Sequence, residues 1–276
     1  MKFTERSLRI LHQAEKQASR TNTIMYPIHL LFGILHEKTG VCAEIHNTCP
    51  DLIVKVREQL KNPSVRENEQ GIPFEHFQVN ISHSTKNIFE FASNRMNRFK
   101  QIYINEGHLF EGILESNDQL TSAIFEAFDI ASILEIVAYP RNLTVSLKEY
   151  SFPHPPSSKI TYRKATRKDV ALLKRFVNME FGNGWMEAIE NGLFMNEIPI
   201  FIAFDNTSII GFACFDVVGR KKGLFGPMGV ALSNRAQGIG YTLLHLCLNE
   251  MKEMGYESII IDETGPIEFY ERANLV

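Results

Sequence analysis

The chain has 276 residues, 44% of them apolar, with 29 Lys and Arg against 32 Asp and Glu for a formal net charge of -3. That length predicts two domains, each able to bury a core of its own, and the composition excludes general disorder. So small a net charge gives no long-range field for a polyphosphate backbone, and nucleic acid is not an expected partner.

The opening MKFTERSLRI lacks the apolar core of a signal peptide. No window reaches the roughly 18 consecutive apolar residues of a spanning helix, so the expected location is the cytoplasm, away from membranes. Cys42, Cys49, Cys214 and Cys247 form no CxxC pair. They have no His at zinc-finger spacing either, so buried free thiols are expected, with no disulfide framework and no metal.

Leu8, Leu11, His12, Glu15 and Ala18 follow three-and-four spacing, as do Ile88, Phe91, Ala92 and Met96, which predicts an all-α first half. The stretch HLLFGIL at His29 to Leu35 returns as HLFEGIL at His108 to Leu114, with five of seven residues identical. Upstream of each copy lies a helix start, FTERSLRILHQA from Phe3 and ISHSTKNIFEFA from Ile81, with Thr4 and Ser82 as N-caps. The half is therefore a tandem helical repeat.

FTERS, the HLLxGIL helix and the following Glu37 to Ala43 resemble the amino-terminal domain of the Clp protein unfoldases over roughly residues 3 to 135. That resemblance implies a protein-interaction module that captures adaptors or substrates. The sequence contains no GxxxxGK[ST] phosphate loop to drive an ATPase motor. Some Clp domains use an acidic residue before the repeat histidine to hold phosphorylated arginine. Ile28 and Gly107 stand there in this chain, which argues against such a receptor. His29 and His108 each begin an apolar helix, where satisfying a backbone group is the expected role.

Four prolines and several serines between Ala138 and Ser158 predict an extended linker. The helical domain is placed at 1–147, the linker at 148–158 and a second domain at 159–276. In the latter, KITYRKAT, PIFIAFD, SIIGFACFDV, LFGPMGVA and SIIIDE alternate as strands. Helices are expected at KDVALLKRFVNMEF, from Gly238 to about Met254, and from Pro266 onward. RAQGIG at Arg235 to Gly240 lies between a strand and a helix, where backbone N–H groups at the helix start form an anion cradle.

GVALSNRAQGIGYTLLHLCLNEMKEMGYESIII and FYERANL resemble the GNAT superfamily of acyl-CoA-dependent N-acetyltransferases over about residues 159 to 276. The resemblance implies a mixed α/β sheet with acetyl-CoA as cosubstrate. Its diphosphate would be held by the N–H groups of Gln237, Gly238, Ile239, Gly240 and Tyr241, and Arg235 matches the motif's first basic position among the cofactor-binding residues. Its pantetheine would pair with the strand carrying Met228 and Val230. Tyr270 is the candidate acid for the departing thiolate, or an aromatic that packs the last helix. Glu263 is the candidate base, or a cap of the next turn; Asp262 should face the other side of the sheet.

Ala236 and Gln237 replace the family's commoner glycine and basic residue. The family adds two strands beyond the position of Val276, so a sheet domain truncated at its carboxyl end is expected. That would leave SIIIDE an apolar edge, covered by a second copy in a homodimer or by another part of this chain. The implied activity is acetyl transfer to a primary amine of a small molecule or protein, with the helical domain binding a protein partner. The alternative is an adaptor or acetyl-CoA sensor with an inactive GNAT domain.

Overall fold

A computed structural model describes residues 1–20, 24–61, 70–153, 159–265 and 267–275. The chain divides into two units, Met1–Pro140 and Arg141–Val276. In the first, one copy of the repeat comprises α1 Glu5–Arg20, α2 Pro27–His36, α3 Gly40–Thr48 and α4 Pro50–Lys61. The other comprises α5 His83–Arg98, α6 Glu106–Glu115, α7 Gln119–Phe125 and α8 Ile130–Val137. Oγ1 of Thr4 accepts the Ser7 N–H at 3.1 Å and Oγ of Ser82 accepts the Thr85 N–H at 3.1 Å. Each such cap is worth about 1 kcal/mol.

The histidines of the repeated motif are also spent on helix starts. Nδ1 of His29 accepts the Tyr26 N–H at 2.9 Å, and Nδ1 of His108 accepts the Asn105 N–H at 3.2 Å. The glycines of the same motif set how closely helices pack. A Cβ on Gly33 would lie 2.4 Å from the Ile10 carbonyl oxygen, and one on Gly112 would lie 2.9 Å from Cγ2 of Ile88. Glycine thus lets α2 press onto α1 and α6 onto α5, where any side chain would hold them apart.

The two copies interlock through their leading segments. Phe3 bridges to Ile104 and Met25 to Ile81. Arg6 of α1 forms a buried ion pair with Glu106 at the start of α6, and its Nε donates to Oγ1 of Thr39 at 3.2 Å. Taking both charges out of water makes each dependent on the other.

The second unit contains β1 Arg141–Ser146, β2 Thr161–Lys164, α9 Val170–Phe181, α10 Met186–Leu193, β3 Ile200–Asp205 and β4 Ser208–Phe215. It continues with β5 Leu224–Val230, α11 Ile239–Glu253, β6 Ser258–Thr264 and α12 Ile267–Arg272. The strands form one sheet in the order β1-β6-β5-β4-β3-β2. Only β5 and β6 are parallel; the other neighbours are antiparallel. Leu143, Val145, Phe225, Ile259 and Ile261 pack with Leu243, Leu244, Cys247 and Leu248 of α11. Ile200, Ile202, Phe212 and Cys214 pack with Leu173, Val177, Ile189 and Leu193 of α9 and α10.

Three features differ from the expected layout. Residues 141–146, assigned to the helical half, form β1 and pair with β6 from Arg141↔Thr264 to Ser146↔Ser258. The expected linker is partly docked: Nζ of Lys252 donates to the Lys148 carbonyl at 3.3 Å, and the Tyr150 hydroxyl lies 2.8 Å from Nδ1 of His245. Residues 154–158 of that linker, and Pro266, lie outside the described residues. The apolar edge of β6 is covered by β1 of the same chain, so it needs no second copy. The third difference is α10, which replaces part of an expected connection. Of the cysteines, Cys42, Cys214 and Cys247 are buried as free thiols and Cys49 is partly exposed.

Candidate functional site

Strand β5 has an edge that its neighbours do not use. It meets β6 only at Leu224 and Phe225. On its other side the register shifts, with Phe215 facing Phe225 but Ala213 facing Met228, so Gly226 and Pro227 form a bulge with Gly226 at φ 121°. A bulge bends a strand and increases its twist, and here it carries β5 away from β6. The Ala231 N–H donates to the Ile210 carbonyl at 2.8 Å. The alternation of an antiparallel ladder then turns the backbone groups of Met228 and Val230 away from β4, toward the open side.

The loop after β5 ends at a helix start suited to an anion. Gly238 is the N-cap of α11 at φ 78° and ψ 1°, and no side chain caps that turn. The N–H groups of Ile239, Gly240 and Tyr241 therefore face outward at the positive end of the helix dipole. Only glycine takes the backbone conformation of Gly238 without strain. Gly240 differs: it lies within the helix, and a Cβ there would meet Phe269 at an ordinary 3.5 Å. Ala236 also has a left-handed backbone, φ 63°, which accounts for glycine being commoner there in the resembled family. Gln237 is exposed.

Arg235 is half-buried, and its Nε donates to the Val230 carbonyl at 3.1 Å, tying the loop to the open strand. Burial lowers its pKa, while the Glu180 carboxylate acts to raise it. Oε2 of Glu180, from the end of α9, accepts the Leu232 N–H at 3.2 Å. Glu180 was not singled out from the sequence: nothing local marks a residue that reaches a loop 52 residues away. Phe181 lies beside it, its ring so near Gly229 that a Cβ would sit 2.5 Å from Cζ.

The two candidate chemical residues occupy different settings. Tyr270 of α12 is 8% exposed, within the core that includes Leu243 and Leu244, and burial pushes its hydroxyl up to about 12. It therefore carries its proton throughout the neutral range. Glu263 is exposed at the end of β6, at φ 44°, and its N–H donates to Oδ1 of Asn142 at 2.9 Å. Asp262 is partly exposed. A buried histidine sits further along α11: the ring of His245 lies 4.3 Å from that of Tyr241, and burial lowers its pKa to about 4. Among the described residues, no group of three or more His, Cys, Asp or Glu is placed to hold a metal ion. No helix among them is long and apolar enough to cross a membrane.

Residues 2–128 match the Clp repeat (R) N-terminal domain family, and residues 171–274 match the acetyltransferase (GNAT) family. The ATP-binding subunit ClpC of a Clp protease from Staphylococcus saprophyticus is 25% identical over 133 residues, 47% of this chain and 15% of that protein. The chain thus matches only a small part of that relative's length. The N-terminal domain of the chaperone ClpD from Arabidopsis thaliana is 20% identical and aligns with a TM-score of 0.40, covering 49% of this chain and 91% of its own. A GCN5-related N-acetyltransferase from Sphaerobacter thermophilus is 16% identical with a TM-score of 0.41, covering 57% and 52%. The chain therefore joins an amino-terminal domain of the Clp repeat family to a carboxyl-terminal domain of the GNAT acetyltransferase family.

Proposed function

We propose that the second unit transfers an acetyl group from acetyl-CoA to a primary amine, while the helical unit binds the protein that bears or delivers the acceptor. The observation that carries this proposal is the open edge of β5 leading into the uncapped start of α11. The outward backbone groups of Met228 and the N–H of Val230, whose carbonyl already accepts from Arg235, suit the amides of a pantetheine arm. The N–H groups of residues 237–241, with Gly238 at the turn, suit a diphosphate. Arg235 holds the loop in that shape.

In this proposal the lone pair of a neutral amine attacks the thioester carbon. The tetrahedral intermediate collapses with cleavage of the C–S bond, the amine proton passes to Glu263 directly or through water, and the thiolate takes the proton of Tyr270. A donor on the open strand stabilises the developing oxyanion. Burial raises the Tyr270 hydroxyl to about 12, so it is protonated at neutral pH as an ordinary tyrosine is, and its assignment as the acid rests on the FYERANL resemblance.

Thiol release from acetyl-CoA, measured across a panel of small and protein-borne amines alongside calorimetric titration of CoA, tests the proposal. Binding with turnover is the expected result. Binding without turnover would leave the domain a sensor, and absence of binding would remove CoA altogether. Tyr270→Phe keeps the packing and loses the proton, so turnover should fall by roughly 100-fold with little change in CoA affinity.

A further inference from the structure

β6 and the helix that follows it are held mainly by an element outside the family match. β1 pairs with β6 along its length, from Arg141 to Ser146, whereas β5 pairs with it only at Leu224 and Phe225. The β1–β6 register is interrupted between Arg141 and Leu143. Opposite that interruption stands Glu263, with a left-handed backbone at φ 44°. A non-glycine residue in that region costs on the order of 1–2 kcal/mol and persists only where its surroundings impose it.

Two bonds impose it here. Oδ1 of Asn142 accepts the Glu263 N–H at 2.9 Å, and the Thr264 hydroxyl donates to the Arg141 carbonyl. Within three residues of Thr264, α12 begins and carries Phe269 and Tyr270. The Phe269 ring lies against Gly240 in the first turn of α11, so α12 packs on the turn proposed to take the diphosphate. Asn142 is itself exposed on an edge strand, so its side chain has little packing to lose.

We infer that Asn142 is a positioning residue for acetyl transfer. By holding Glu263 in a left-handed backbone it directs the Glu263 carboxylate and sets the start of α12, and with it Tyr270. This inference rests on the proposed function of the same site. It assigns a role in the chemistry to a strand that the GNAT family match, residues 171–274, does not include.

The test compares the full-length parent, Asn142→Ala and Asn142→Asp, the last retaining an acceptor oxygen for the Glu263 N–H. Turnover with the best amine from the panel, hydrogen exchange at the Glu263 amide and thermal unfolding are read for each. Asn142→Ala should lower kcat on the order of 10-fold while changing the KM for acetyl-CoA by less than about threefold, since misplaced groups cost rate more than binding. Its Glu263 amide should exchange faster. Asn142→Asp should recover most of both effects. Parental kcat and exchange in Asn142→Ala would overturn the inference while leaving the proposed function intact. So would a loss of kcat that tracks a fall in melting temperature and is not recovered by Asn142→Asp. A parent that turns over no amine would overturn the proposed function and this inference with it.

Discussion

The helical unit and the sheet unit achieve closure in different ways. In the helical unit several local contacts are made twice, once per copy: Thr4 and Ser82 cap, His29 and His108 brace, Gly33 and Gly112 let helices approach. In the sheet unit the closing contact is made once, between β1 and β6, by strands at opposite ends of the unit. Duplication makes a fold self-consistent and easy to read from sequence, whereas a single long-range pairing leaves a weak local trace and makes one short segment responsible for an entire edge.

Breaking the bond between the two helical copies should have the largest effect. Arg6→Ala leaves Glu106 buried without its cation, at an expected cost of about 3–5 kcal/mol. Urea unfolding of the full chain should show a helical transition at much lower urea, with the transition of the sheet unit in place. Coincident movement of both transitions would show that the units do not unfold independently.

Acid should weaken both units through histidines whose pKa burial lowers, His108 together with His36 in the helical unit and His245 in the sheet unit. Burial lowers His108 and His245 to about 4. Each is neutral in the folded chain, whereas its unfolded counterpart binds a proton near 6.5, so stability is lost as pH falls from about 6.5 to 4. The full shift corresponds to roughly 3 kcal/mol per histidine. His108→Gln keeps an acceptor at the third helical position and removes the titration, so it should flatten the acid profile of the helical unit alone. An unchanged profile in urea melts between pH 7 and 4 would exclude His108 as the source.

Glycine substitutions sharpen the comparison further. Gly33→Ala meets the rigid Ile10 carbonyl and should cost about 2–3 kcal/mol, as overpacking does. Gly112→Ala meets Cγ2 of Ile88 at 2.9 Å and the Ile88 carbonyl oxygen at 3.0 Å, a milder overlap than the 2.4 Å at Gly33, and should cost less. Gly240→Ala meets nothing closer than 3.5 Å and should be neutral or stabilising by up to about 1 kcal/mol. Denaturant midpoints should fall in that order, and equal losses at Gly33 and Gly112 would contradict the difference between the copies.

The helical repeat was legible because its signals are local and doubled: the histidine and glycine recur after 79 residues and the cap after 78. The strands from β2 to β6 were legible from alternation, and the loop from Gly238. β1 was not read as a strand, although Leu143, Val145 and Leu147 alternate, because prolines at positions 140 and 153 flank it and its partner lies more than a hundred residues away. The open edge of β5 was anticipated only through family resemblance. Its physical origin is the bulge at Gly226 and Pro227, which requires knowing both neighbouring registers. Arg235 was read as a cofactor-binding residue, and the bond of its Nε to the Val230 carbonyl is not apparent from the sequence. The bond from Asn142 to Glu263 links two positions that no periodicity relates.

The pairing of β1 with β6 also bears on how the protein is made. Arg141 and Thr264, joined by a side-chain bond, are 123 residues apart in the chain. At translation speeds of about 5–20 residues per second, β1 leaves the ribosome roughly 6–25 seconds before its partner exists. During that interval Leu143, Val145 and Leu147 have no strand to cover them, while the helical repeat ahead of them has already been synthesised and is free to fold. The nascent chain therefore passes through a state in which a finished amino-terminal domain trails a short, sticky strand, and that strand is the segment a chaperone or protease would meet first.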